Sequence, residues 1–312
     1  MRQIRMWAAI GGLLGVLAAP LAATLGRAET PPQQLLEQAE QARRARNLVE
    51  AEQLFRRVLQ SQAEPRVQAQ AMNGLGHVLF NQGRVDEAER TIDAARAIIV
   101  KNFGDGDILM ASNWQAHGLI RLQKYKDRAG AQAAIEKASA IRNAKLDVWT
   151  LVGDRKALRY TPAGLELPMQ SGSLNYLNRA IHDDSGQDVS VNYDGTLASG
   201  ASLRVTVYAY RLSPGARADL VFRQEIDGIQ AFNRSARLLH SETFPLDAPG
   251  RDAVGRRALF RYQGQGVTVD TRLYLFLFGQ WAIKLRVTGD AADAAAIDEQ
   301  VAALLRAIVW PN

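Results

Sequence analysis

Between Gln33 and Ala144 apolar residues return every three or four positions, as in Leu54, Phe55, Val58 and Leu59, and again in Ile92, Ala95 and Ile98. That period is the signature of amphipathic helices. The filler is Ala, Gln, Arg, Glu and Leu, all good helix formers, and Pro65 is the only proline in the stretch. Short polar breaks ("RARN", "NQGR", "FGDGD", "QKYKDR") divide it into several short helices. After Ala144 the pattern changes. Apolar and β-branched residues now alternate with polar ones, which predicts strands over 174–182, 188–193, 202–212, 255–262, 267–278 and 281–287. Tight breaks between neighbours favour antiparallel hairpins. Two longer helices are expected over 216–233 and 291–308. In "LYLFLF" the residues Tyr274, Phe276 and Phe278 point one way and Leu273, Leu275 and Leu277 the other. A strand apolar on both sides needs a layer across each face. The fold class expected is α+β in two domains: a helical domain over 29–144, and over 145–312 an antiparallel sheet with flanking helices.

The helical stretch repeats itself. Ala51, Phe55 and Val58 stand at relative positions 0, 4 and 7, as do Ala88, Ile92 and Ala95, and again Ala131, Ile135 and Ala138. A small residue at the first position lets two helices approach, and the bulkier ones fill the space between neighbouring pairs. With Met72, Leu75, Gly76, Leu79 and Gly83 preceding it, the middle unit resembles the tetratricopeptide repeat. The first unit (Leu35, Ala39, Ala42) and the third (Trp114, Gly118) are similar to it, the third with an inter-helix loop longer by about a residue. The spacer "KNFGDGDILMAS" looks like that of kinesin-light-chain-type repeats. Gly74 and Gly76 do not make a phosphate loop, since no strand precedes them. They are read as packing glycines, and Gly83 as a turn residue.

The resemblance implies a helical solenoid whose concave face carries a protein or peptide partner. The groove residues it assigns are Arg43 and Arg44 on the first unit and Asn73, His77, Phe80 and Asn81 on the middle one. Asn73, His77 and Asn81 are spaced four apart and so share a helix face. The lysine and asparagine set of the carboxylate-clamp type is not reproduced. Terminal repeats need covering, so a homodimer through the repeats is one expectation. The order of elements in the second half looks like exported sandwiches of the PsbP type, a fold analogy that carries no activity.

Composition changes the picture at the amino terminus. Arg2 and Arg5, an apolar run and then small residues Gly26 and Ala28 have the order of a secretory signal over 1–28, cut after Ala28 or Ala23. An uncleaved anchor is the alternative, and membrane proximity is expected only in that case. There is no cysteine, hence no disulfide, thiolate nucleophile or lipoprotein anchor. The formal charge of +6 falls to about +3 once Arg2, Arg5 and Arg27 leave, with both signs interspersed, so nucleic acid is not an expected partner. The location expected is the bacterial periplasm or exterior.

Candidate chemistry is sparse. The four histidines form no ligand pair. "HDDSGQD" at His182–Asp188 offers oxygen ligands for a cation, but a capped turn between strands explains the same residues and is the expectation. No serine-hydrolase elbow is present. Glu225 and Asp227 read as a solvated helix face. Arg204, Tyr208, Tyr210, Lys284 and Arg286 share the polar faces of two strands and form a possible ligand face. The sequence therefore predicts a non-catalytic interaction protein with no cofactor or metal. The alternative is an envelope enzyme, or a glycan or small-ligand binder, with its site in the second domain.

Overall fold

The structure, a computed structural model, describes residues 30–248, 253–264 and 266–311. The signal expected over 1–28 lies outside them. The first half is six helices: α1 (Pro32–Arg44), α2 (Leu48–Gln60), α3 (Pro65–Asn81), α4 (Val85–Phe103), α5 (Leu109–Lys124) and α6 (Arg128–Lys145). They pack as consecutive pairs α1/α2, α3/α4 and α5/α6, and α3 touches both α1 and α5, so the first helices of the pairs form a row. Each pair turns on one residue with positive φ: Arg46 (60°), Gly83 (81°) and Lys126 (56°). The residue after it closes the turn. Asn47 N–H donates to the Ala42 carbonyl and Arg84 N–H to Leu79, five residues back, whereas Asp127 N–H reaches Arg121, six back. The three loops are equal in length, 45–47, 82–84 and 125–127, so the longer third loop expected from the sequence is not found; what is wider there is the closing hydrogen bond.

Small residues at the repeat positions bring the helices together. Ala51, Ala88, Phe55 and Ile92 are buried. A Cβ placed on Gly74 would stand 2.3 Å from a Phe55 ring carbon, and one on Gly76 would stand 2.4 Å from Ile92. Ile135 departs from its predecessors. It touches Gly118 but is 43% exposed, because no further pair follows α6 to cover it.

The second half is built on an eight-stranded antiparallel sheet of β4 (Gln170–Ser171), β5 (Leu174–Ile181), β6 (Asp188–Thr196), β7 (Ser202–Arg211), β8 (Arg237–Pro245), β9 (Val254–Gln263), β10 (Thr268–Phe278) and β11 (Trp281–Asp290). Its order is β4-β5-β6-β7-β11-β10-β9-β8. A small antiparallel sheet of β1 (Trp149–Val152), β2 (Ala157–Tyr160) and β3 (Leu165–Pro168) precedes it, and helices α7 (Ala218–Phe232) and α8 (Ala294–Ala307) complete the half. Strand β10 divides as its alternation required. Tyr274 and Phe276 enter one core with β1–β3, α8 and Trp310, and Leu273 and Leu275 enter another under α7, with Val221, Phe222 and Ile229. Strand β8 was not expected from the sequence, and nearly all of its residues are exposed. The whole is α+β, and Pro32–Asn312 forms one compact unit in which α6 packs on β5. Among the described residues no helix is long and apolar enough to cross a membrane.

Candidate functional site

The third helical pair meets the sheet around Arg142 of α6. This arginine continues the buried Ala134 and Ala138 stripe of α6 by one more turn, and it is only 3% exposed. Its Nε donates to Asp184 Oδ1 at 2.9 Å and its Nη2 to Gln115 Oε1 at 2.8 Å. Asp184 belongs to the tight turn between β5 and β6, and its other oxygen accepts from Ser112 Oγ of α5 at 2.6 Å. An acidic turn from the sheet is thus held by a hydroxyl and a guanidinium from the helices. Next to it on α3 is His77, whose imidazole hydrogen-bonds the Ser112 backbone and feels the charges of Arg43 and Arg142.

The same turn leads into the sheet face. His182 Nε2 lies 2.9 Å from Ser190 Oγ on the neighbouring strand, and the His182 ring lies 6.3 Å from that of Tyr208. Tyr208 stands opposite both Ser190 and Lys284 in register. Lys284 Nζ sits 4.1 Å above the Tyr208 ring and donates to Glu225 Oε2 at 2.8 Å, while Tyr210 OH donates to the other Glu225 oxygen at 2.7 Å. Helix α7 supplies Glu225, and the three groups form a closed ionic and aromatic contact.

Burial sets the protonation of this junction. His77 and His182 are each pushed down to about 4, first by burial and then by neighbouring cations, Arg43 for the one and Arg142 with Lys284 for the other. Asp188 is pushed up to about 6 by burial and then by Asp183, and burial also raises Asp184 against the pull of Arg142. A histidine that releases its proton near pH 4 is a poor general base at neutral pH. Ser190, its partner, is buried. Asp183, which would have to orient it, instead closes its own turn by accepting from Gln187 N–H, Asp188 N–H and the Ser185 hydroxyl. The Ser190–His182 contact is therefore a structural hydrogen bond rather than an activated nucleophile.

These shifts predict a pH dependence with a definite sign. Below pH 6.5 the unfolded chain takes up a proton at each histidine that the folded chain refuses until about pH 4. Stability from this source is present above 6.5 and is lost as pH falls through that window. Asp188 acts the other way between 3.8 and about 6, because the folded state holds its proton longer. Asp184, also raised, adds to Asp188, while His117, lowered by burial, adds to the other two histidines. The three histidines set the sign, so the melting temperature is expected to fall from pH 7 to pH 4.5. His182→Gln, titrated by circular dichroism, should flatten that slope. A slope unchanged in the variant would rule His182 out as a source.

The residues expected for a partner groove divide by depth. Asn73 is buried and donates to the Leu109 carbonyl at 3.0 Å, while its oxygen accepts from Asn113 at 3.1 Å. Asn113 in turn donates to the Ile92 carbonyl and accepts from Arg96. Asn73 is therefore an internal link between repeats, unavailable to a partner, which corrects its placement in the groove. Phe80 is half-buried against the helical core, and Arg43 is tied to Glu40 by two bonds of 2.9 and 2.7 Å. Arg44 and Asn81 are exposed. The expected ligand face also divides. Tyr208, Tyr210 and Lys284 are gathered around Glu225, whereas Arg286 lies 5.7 Å from the Phe232 ring and Arg204 is exposed toward the strand end.

Sequence reasoning missed Arg142 and Ser112 as site residues and read Glu225 as solvated. For Arg142 a signal existed: a charged residue on the buried alanine stripe of the last helix needs a partner. No protein-family model matches the chain, and no curated protein matches it.

Proposed function

We propose that the chain is an exported, non-catalytic binding protein of the bacterial cell envelope. Its three helical pairs act as a short tetratricopeptide-like solenoid that holds a protein partner on the row formed by α1, α3 and α5. One observation carries the reading: the last helix of this row already takes part in holding an acidic turn, with Asp184 accepting from Ser112 of α5 and from Arg142 of the neighbouring α6. The sheet half occupies the third repeat in this way, and the first two repeats keep Arg44 and Asn81 exposed, with Arg43 half-buried beside Glu40, for an extended segment from outside. Small residues between the pairs and a positive-φ residue in each turn support the resemblance on which the reading rests.

The test is crosslinked capture from intact cells with the wild-type chain and with the triple variant Arg43→Ala/Arg44→Glu/Asn81→Ala. All three positions lie away from the buried Asn73–Asn113 network, so the fold should persist, checked by circular dichroism. A protein held by the wild type and lost from the variant supports the groove. Capture that survives the variant but is abolished by changing Tyr208 and Lys284 would move the function to the sheet face.

A further inference from the structure

Helix α7 ends and β8 begins through a segment whose composition is unlike the rest of the surface. From Gly228 to Ser241 the chain contains no acidic residue and carries Arg234, Arg237 and His240. The same stretch exposes apolar side chains that nothing covers: Phe232 at 85%, Leu239 at 48% and Leu238 at 39%. Phe232 lies exposed on the last turn of α7, whereas Val221, Phe222 and Ile229 of the same helix are buried. Arg286 of β11 stands beside its ring, adding a further cation to the patch.

Charge accounting sharpens the point. The three arginines of β9, the strand beside β8, are each matched to an acid. Arg256 pairs with Asp219, Arg257 with Glu242, and Arg261 with Asp270. Arg234 and Arg237 have no acidic partner among the described residues, and Arg237 lies opposite another arginine, Arg261, in register. The nearest acids along the chain are Asp227, before the segment, and Glu242, which Arg257 already holds. An aromatic ring and two leucines flanked by unpaired cations fit an interface that is apolar below and negative above. A soluble polyanion would satisfy the arginines but leave Phe232 and Leu239 in water. A purely apolar partner would strand the arginines.

We propose that the α7–β8 corner docks on an anionic lipid surface, with Phe232, Leu238 and Leu239 entering at headgroup depth and Arg234, Arg237 and Arg286 pairing with lipid phosphates. The strand is well placed for this because β8 is the free edge of the sheet. Docking here leaves the row of α1, α3 and α5 untouched, so the proposal stands independently of a partner in the groove.

The experiment is co-sedimentation of the full chain with phosphatidylcholine vesicles containing phosphatidylglycerol, against phosphatidylcholine alone, at two salt concentrations. Variants are compared with the wild type under the same conditions, so attachment through the apolar run near the amino terminus is common to all. Arg234→Glu/Arg237→Glu is expected to weaken binding to the anionic vesicles more than tenfold, at about fivefold or more per charge lost. Phe232→Ser should weaken it several-fold with little change in salt dependence. All three sites are exposed, and an unchanged melting curve verifies folding. Binding that ignores both variants overturns the proposal. So does a charge-reversal effect without a Phe232→Ser effect, together with equal competition by soluble polyglutamate, because that result marks a polyanion site and not a lipid one.

Discussion

Arg142→Met is expected to lower the unfolding free energy by about 3–5 kcal/mol, the usual cost of removing one partner from a buried ion pair. For a unit of this size that corresponds to a melting temperature lower by roughly 6–15 °C. The cause is what the substitution leaves behind. Asp184 loses its guanidinium but remains held by Ser112 Oγ and three-quarters buried, with burial pushing its carboxyl up and no guanidinium left to oppose it. Gln115 loses the donor to its amide oxygen at the same time. The double variant Arg142→Met/Asp184→Leu removes both charges, and it should recover a good part of the loss because an apolar pair needs no compensation. The measurement is a double-mutant cycle by thermal or urea unfolding. Additive losses would mean that the helices and the sheet are not coupled through this pair. A second readout is cooperativity: if the pair fastens the two halves, Arg142→Met should separate one melting transition into two.

What the sequence revealed and what it withheld follow from the range of the interactions. The α3–α4 pair was legible because its determinants are close together: Leu75, Gly76 and Leu79 on one helix meet Ala88, Ile92 and Ala95 on the next across a single turn. Strand β10 was legible because both of its faces are apolar, and each of them found a layer, under α7 on one side and beside α8 on the other. Strand β8 was hidden for the opposite reason. Eight of its nine residues are exposed, so no alternation marks it, and an edge strand is defined by its one neighbour rather than by its own pattern.

The groove shows the limit of periodicity. Spacing placed Asn73, His77 and Asn81 on one helix face but said nothing about what lies over that face. Leu109, 36 residues away, covers Asn73, the Ser112 backbone hydrogen-bonds the half-buried His77, and nothing covers Asn81. Coverage depends on segments far away in the chain, and Glu225 was misread for the same reason. As a helix residue it looks solvated, yet Tyr210 and Lys284 come to it across the sheet.

The glycines between Asn73 and Glu89 give the second large effect. Gly76→Val is expected to cost about 3 kcal/mol or more, although valine is a better helix residue than glycine. The added Cβ would stand 2.4 and 2.6 Å from two carbons of Ile92, and Ile92 is fully buried, so it has no free volume to retreat into. The α3 and α4 axes must part, which strains the alanine contacts along the whole pair. Gly83→Ala makes the contrast: its φ of 81° imposes strain but nothing lies within 4 Å, so the loss should be only about 1 kcal/mol. Gly76→Val combined with Ile92→Ala should recover much of the stability, because the truncated side chain vacates the space the valine needs. Thermal unfolding of the three variants and the wild type decides the matter. If Gly76→Val were neutral in stability, close approach of the helices would not be what this glycine is for, and a ligand role for the Gly74–Gly76 stretch would regain its case.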